Sequence, residues 1–216
     1  TKDNKKLYEV YEGENIFSMD ESAATEIFEQ FPYFKMTAFE KQYPNRIVIE
    51  ATEDVELFAV KKDETSFYIL SADGTLLSER DSAINRSDNA SNIVVTGVDI
   101  QAAEGEIANN DECLAWLFEF CQKTSKLLGG LRKNVTSIEI LRPTSSVTEM
   151  MFKLHFKEGV VAYVRNPSVF IGGKAEKMVE KYLALSDSER LRGMIFVTER
   201  QDEAVIAEYS KDDRFI

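Results

Sequence analysis

The chain has very few of the residues that zinc binding and nucleophilic catalysis most often use. Its 216 residues include one histidine, His155, and two cysteines, Cys113 and Cys121. A His/Cys zinc site takes about four such ligands, so the sequence predicts no zinc site. A Ser-His-Asp triad would have to use His155, which lies in the strand-like run 152–156, and no G-x-S-x-G motif is present. We therefore expect no enzyme, no catalytic residue, no metal and no cofactor.

The two cysteines are too far apart to pair with each other. They lie eight residues apart in a segment with helical periodicity. A rise of about 1.5 Å per residue separates them by roughly 12 Å, whereas a disulfide needs Cα atoms within about 7 Å of each other. The spacing predicts two buried free thiols.

The chain also lacks an excess of basic residues and any long hydrophobic run. It has 26 Lys and Arg against 38 Asp and Glu, a net charge of −12, which argues against binding to nucleic acid or to an anionic lipid surface. No stretch approaches the roughly 18 apolar residues of a membrane helix. The opening TKDN has neither an initiator Met nor a signal-peptide pattern, which we expect of a portion trimmed from a longer, membrane-anchored protein.

Hydrophobic periodicity changes character near residue 55. Before it, a capping box beginning at Ser18 predicts a helix over 20–31, followed by strands 34–42 and 46–51. After it, short strands predominate, and a helix at 111–128 carries a continuous apolar stripe. The remaining predicted elements are strands at 57–60, 67–70, 75–77, 93–98, 135–141, 147–157, 160–165, 194–199 and 203–209, a polar loop at 78–92, a helix at 173–185 and a capped turn at 186–189. This order predicts an α+β fold.

Two further patterns are weaker indications of chemistry. Gly172-Gly173-Lys174 is not a phosphate loop, because Ser168 and Ala175 stand where that motif has Gly and Ser or Thr. It indicates a tight strand-to-helix turn. The neighbouring carboxylates Glu53-Asp54 and Asp111-Glu112 would suit an extracytoplasmic glycosidase, which we keep as a remote alternative because acidic neighbours are common in so acidic a chain.

Several motifs, in order, resemble the FtsQ/DivIB family of bacterial cell-division proteins. The run GENIFSMD at 13–20 is similar to a motif of that family's POTRA region, and so are FPY at 31–33 and YPNRIVI at 43–49. The runs YILSADGTLL at 68–77, LHFKEGVVAYV at 154–164 and FIGGK at 170–174 resemble its β domain. Asp54 replaces the Arg of the family's Glu-Arg pair at 53–54, and the first POTRA strand has no counterpart.

The resemblance implies a domain organisation and a function. It implies a truncated POTRA-like module at 1–55, a larger mixed β domain with two or three helices at 56–210, and a tail at 211–216. The chain would be the extracytoplasmic part of a single-pass membrane protein at the division septum. Its expected partners are FtsB/DivIC-like and FtsL-like membrane proteins, whose binding helps control septal wall synthesis.

The resemblance also implies where those partners bind. The last strand would present an unpaired edge to which a partner strand is added. The matching residues are Glu203, Ala204, Val205, Ile206, Ala207, Glu208 and Tyr209. Alternation places Ala204, Ile206 and Glu208 on one face, and Val205, Ala207 and Tyr209 on the other, with Ile206 or Tyr209 as an anchor. One alternative is a quiet terminal strand covered by the tail. Another is a POTRA-bearing component of an outer-membrane secretion system, which the full-length protein would reveal by the domain on the C-terminal side of this portion.

Overall fold

A break between Val55 and Glu56 divides the chain into two units. The division falls where the hydrophobic pattern changes from one helix and a hairpin to a series of short strands. The computed structural model describes residues 15, 17, 20–146, 149–200, 202 and 204–211. Within these residues, no helix combines the length and the apolar character needed to cross a membrane.

The first unit contains one helix and one hairpin. Helix α1 (Glu21–Phe28) is followed by strands β1 (Phe34–Gln42) and β2 (Arg46–Glu53), which pair antiparallel. The helix is capped by Asp20, whose carboxylate accepts the backbone N–H of Ala23 at 2.7 Å. The prediction of a cap at Ser18 is therefore wrong, because the Asp20 carboxylate satisfies a free N–H of the first helical turn. Ser18 itself lies outside the described residues.

The second unit is built on one nine-stranded mixed sheet. Its strand order is β11-β10-β9-β8-β7-β6-β3-β4-β5. The pairs β9–β10, β3–β6 and β6–β7 are parallel, and the other five pairs are antiparallel. The strands are β3 (Glu56–Lys61), β4 (Phe67–Ser71), β5 (Leu76–Arg80), β6 (Ile93–Thr96), β7 (Val135–Leu141), β8 (Met151–Phe156), β9 (Val161–Arg165), β10 (Met194–Glu199) and β11 (Val205–Ser210).

Two long helices and two single-turn helices complete this unit. Helix α2 (Glu112–Leu128) is capped by Asp111 and ends at Gly129 in the left-handed conformation. Helix α3 (Leu131–Asn134) is a single turn that periodicity did not predict. Helix α4 (Ile171–Ala184) packs beside α2, and α5 (Asp187–Arg190) has the capping box predicted from Ser186 and Glu189. The predicted α+β class is confirmed.

The core of the second unit lies between these helices and the sheet. The inward side chains of α2 and α4 meet alternate residues of the central strands, in one cluster of buried apolar groups. Representative members are Phe58, Leu114, Phe152, Met178 and Ile195, each with no exposed surface. Cys113 and Cys121 belong to the same cluster as free buried thiols, which confirms the prediction made from their spacing.

Candidate functional site

Strand β11 lies at one edge of the nine-stranded sheet. Among the strands that the structure describes, its one neighbour is β10, with which it pairs antiparallel from Glu199 opposite Val205 to Met194 opposite Ser210. Of the seven predicted site residues, Val205 to Tyr209 lie in the strand and Ala204 lies just before it. Glu203 is outside the described residues. The structure thus brings most of the predicted set to a sheet edge.

The side chains of β11 alternate as predicted. Val205, Ala207 and Tyr209 pack against the core on the face covered by α4. Ile206 is half-buried and Glu208 is exposed on the opposite face. The inward face therefore anchors the strand to its own unit, and the outward face presents one apolar and one charged side chain.

Tyr209 is tied into the second unit and is a poor candidate for a partner anchor. Its hydroxyl donates to the backbone oxygens of Glu189 at 3.3 Å and Arg192 at 3.1 Å. Burial and the nearby Glu189 carboxylate both raise the pKa of its phenol. A substitution at Tyr209 would loosen the α5 turn as well as the edge. Ile206 is the better-placed apolar side chain for contact with a partner.

The backbone of β11 also alternates. The N–H of Arg200 donates to the oxygen of Ala204 at 2.9 Å, so these two residues form a hydrogen-bonded pair that closes the β10–β11 turn. Such pairs recur at every second residue of an antiparallel ladder. Ile206 and Glu208 therefore bond to β10, while the N–H and C=O groups of Val205, Ala207 and Tyr209 point away from it.

A shallow groove runs between helix α4 and strand β11. Its volume is about 370 Å³. Its charged lining includes Lys177 and Lys181 from the helix, and a 2.7 Å ion pair joins Lys177 to Glu180. Val205 and Ala207 contribute the small apolar side chains at its base. Side chains of an added strand that face α4 would enter this groove.

The other residues considered for chemistry have structural partners. His155 Nε2 lies 2.6 Å from an oxygen of Glu139 on the neighbouring strand. Asp111 caps α2 and forms an ion pair with Arg142, and Asp54 forms a 2.8 Å ion pair with Lys35. Ion pairing and capping account for both carboxylates without a substrate.

One component near the edge could not be found from the sequence. The side chain of Lys174 is fully buried beside the end of β10. Its sequence context, a Gly-Gly-Lys turn, resembles a surface turn and carries no sign of burial. Comparison of the chain with protein-family models and with curated proteins finds no match in either set.

Proposed function

We propose that this chain is the extracytoplasmic portion of a bacterial division scaffold, anchored in the cell membrane by a segment outside this sequence. It binds FtsB/DivIC-like and FtsL-like partners at the septum by accepting a strand along β11. The observation that carries the proposal is the sheet edge at β11, with alternate backbone groups directed outward. The ordered motifs shared with the FtsQ/DivIB family support the choice of partners.

The two edges of the sheet differ in how well they are protected. At β5 the segment Gly105–Ala108 covers the start of the strand, with Leu76 donating to Glu106 O and accepting from Gly105 N, both at 2.8 Å. The β4–β5 register also shifts between Ile69 and Leu70. Covering segments and irregular pairing are two ways in which proteins prevent unwanted strand addition.

Strand β11 has neither form of protection among its described residues. Its pairing with β10 continues without a register shift over six residue pairs. It contains no Pro, and Glu208 is its single charged residue. This contrast with β5 favours β11 as the edge that accepts a partner strand.

The outward backbone groups give an order of magnitude for the binding. Val205, Ala207 and Tyr209 each offer one N–H and one C=O, so a partner strand gains about six hydrogen bonds. At roughly 0.5–1.5 kcal/mol net each, these contribute about 3–9 kcal/mol before the cost of ordering the partner. Micromolar affinity corresponds to about 8 kcal/mol. Side-chain contacts in the groove and at Ile206 would supply the remainder and the specificity.

A proline at position 207 tests the edge with little damage to the fold. Ala207→Pro removes an N–H that points away from β10, so the ladder with β10 keeps its hydrogen bonds. Ala207→Ser is the matched control, because it keeps the N–H at the same site. The dissociation constant for the outward segments of the same organism's FtsB/DivIC-like and FtsL-like proteins is measured by calorimetry for each variant.

The expected results distinguish the role from the mechanism. We expect the Ser variant to bind within about threefold of the wild type, and the Pro variant to bind at least about tenfold more weakly, as for the loss of one hydrogen bond and a steric clash. Equal binding by the two variants would contradict strand addition at β11. No binding by the wild-type protein would contradict the division-scaffold function.

A further inference from the structure

Lys174 is a charged residue in an unusual place. It lies in the first turn of α4, and its side chain has no exposed surface. Burial of an ammonium group is costly unless hydrogen bonds and an opposite charge replace its water. A helix that needed only to pack on the sheet would be served better by an apolar residue at this position.

The ammonium group joins three segments of the chain. Lys174 Nζ donates to the backbone oxygens of Arg165 at 2.8 Å and Asn166 at 2.6 Å. It also forms an ion pair with Glu199 Oε2 at 2.5 Å. The other Glu199 oxygen accepts the side-chain N–H of Asn166 at 2.7 Å. We call Asn166, Lys174 and Glu199 the lysine cluster. It links the end of β9, the start of α4 and the end of β10.

The lysine cluster lies directly before the binding edge. Glu199 is the last residue of β10 and stands opposite Val205, the first residue of β11. The start of α4 is also close to Val205, since a Cβ placed on Gly173 would lie 3.5 Å from the Val205 side chain. A cluster that fixes Glu199 therefore fixes the point from which the β10–β11 turn leaves and β11 begins.

The loop held by the cluster is strained at both ends. Asn166 and Phe170 have φ angles of 46° and 52°, in the left-handed region that side chains other than Gly rarely adopt. Such conformations persist where surrounding contacts impose them. The two carbonyl bonds from Lys174 supply contacts of this kind at one end, and Phe170 O accepts the backbone N–H of Lys174 at 2.9 Å at the other.

We propose that Lys174 is a positioning residue for strand addition. By holding the end of β10, it keeps the β10–β11 hairpin in the conformation that a partner strand requires, so that binding incurs little cost of ordering. This inference rests on the proposed function of β11. It assigns a role in binding to a residue that lies behind the edge and has no exposed surface to offer a partner.

Three variants separate positioning from general stability. Lys174→Met keeps the length of the side chain and removes its charge. Glu199→Gln removes the opposite charge, keeps an acceptor for Asn166, and serves as the second variant should the Met protein fail to fold. Val95→Ala, in the central strand β6, is the control that lowers stability far from the hairpin. Hydrogen exchange of the β11 amides is measured in the free proteins, and partner affinity is measured for the same proteins.

We expect Lys174→Met to speed exchange at the β10-bonded amides of Ile206 and Glu208 by at least about tenfold and to weaken partner binding by a similar factor, the ratio for one lost hydrogen bond to a charged group. Glu199→Gln should shift both quantities in the same direction by less. Val95→Ala should leave the exchange of these two amides and the affinity near wild-type values, because edge amides exchange through local opening.

The two readouts also separate this inference from the function on which it rests. Faster exchange at β11 in the Met variant, without partner binding by any protein including the wild type, would support positioning and contradict the proposed function. Binding by the wild type that Lys174→Met and Glu199→Gln leave unchanged would overturn the positioning role. An equal effect of Val95→Ala on the β11 amides would overturn it as well.

Discussion

Replacing Gly97 by Ala should damage the sheet where β6 meets β7. Gly97 directly follows β6 and has a φ angle of 86°. A Cβ there would lie 2.2 Å from the backbone oxygen of Ile140 in β7. That oxygen belongs to a strand in the middle of the sheet and cannot move aside as a flexible side chain would. The end of β6 therefore has to separate from β7.

The expected cost combines strain and lost pairing. A left-handed conformation costs Ala about 1–2 kcal/mol, and one or two weakened hydrogen bonds cost about 1 kcal/mol each. The sum is about 2–4 kcal/mol. Gly129 provides the matched control, because its φ angle is 65° but nothing lies within 4 Å of the added Cβ. Gly129→Ala should cost about 1 kcal/mol, the strain alone.

Urea denaturation followed by tryptophan fluorescence measures both variants. Trp116 is the single tryptophan of the chain and lies half-buried against the core of the second unit, so its signal reports that unit. With a urea dependence of about 2 kcal/mol per molar, Gly97→Ala should lower the midpoint by about 1–2 M and Gly129→Ala by about 0.5 M. Equal shifts for the two variants would refute the clash at Ile140.

Three further predictions concern titratable groups. Burial acts to raise the pKa of Glu199, but its bonds to Lys174 and Asn166 outweigh burial and lower the pKa below 4.5. Its stabilisation is therefore complete above about pH 4.5 and is lost as the pH falls through the folded-state pKa, so urea midpoints should fall further in acid for wild type than for Glu199→Gln. Burial and the bond to Glu158 raise the pKa of Tyr182 to about 12. The neutral phenol thus stabilises the fold below about pH 10, this contribution is lost as the pH rises towards 12, and Tyr182→Phe should remove that part of the alkaline loss in the same assay. Burial raises the pKa values of both Cys113, to about 12, and Cys121. A thiol reagent should modify neither cysteine in the native protein and both in urea, and rapid native labelling would contradict their burial.

Local patterns in the sequence were sufficient for most of the elements. Helix α2 was predicted at 111–128 and lies at Glu112–Leu128, because an apolar stripe, an N-cap and a terminal Gly all indicate the same helix. Strand β11 and its two faces followed from alternation alone. These signals depend on residues that are close together in the chain.

The strand order and the lysine cluster depend on residues far apart in the chain. The parallel neighbours β3, β6 and β7 begin at Glu56, Ile93 and Val135, and no local pattern states that they pair. The edge position of β11 follows from that order. The partners of Lys174 are two backbone oxygens and a carboxylate 25 residues later in the sequence. A lysine in sequence is typical of the surface, so its burial becomes visible only once the fold brings these groups together.

Amide hydrogen exchange of β11, recorded by NMR with and without the FtsB/DivIC-like segment, tests strand addition most directly. In the free protein, the amides of Ile206 and Glu208 should be protected by β10, whereas those of Val205, Ala207 and Tyr209 should exchange quickly. Bound partner should protect these three amides in addition, which gives protection along the whole strand. Binding that leaves the amides of Val205, Ala207 and Tyr209 exchanging at their free rates would contradict the proposed use of this edge.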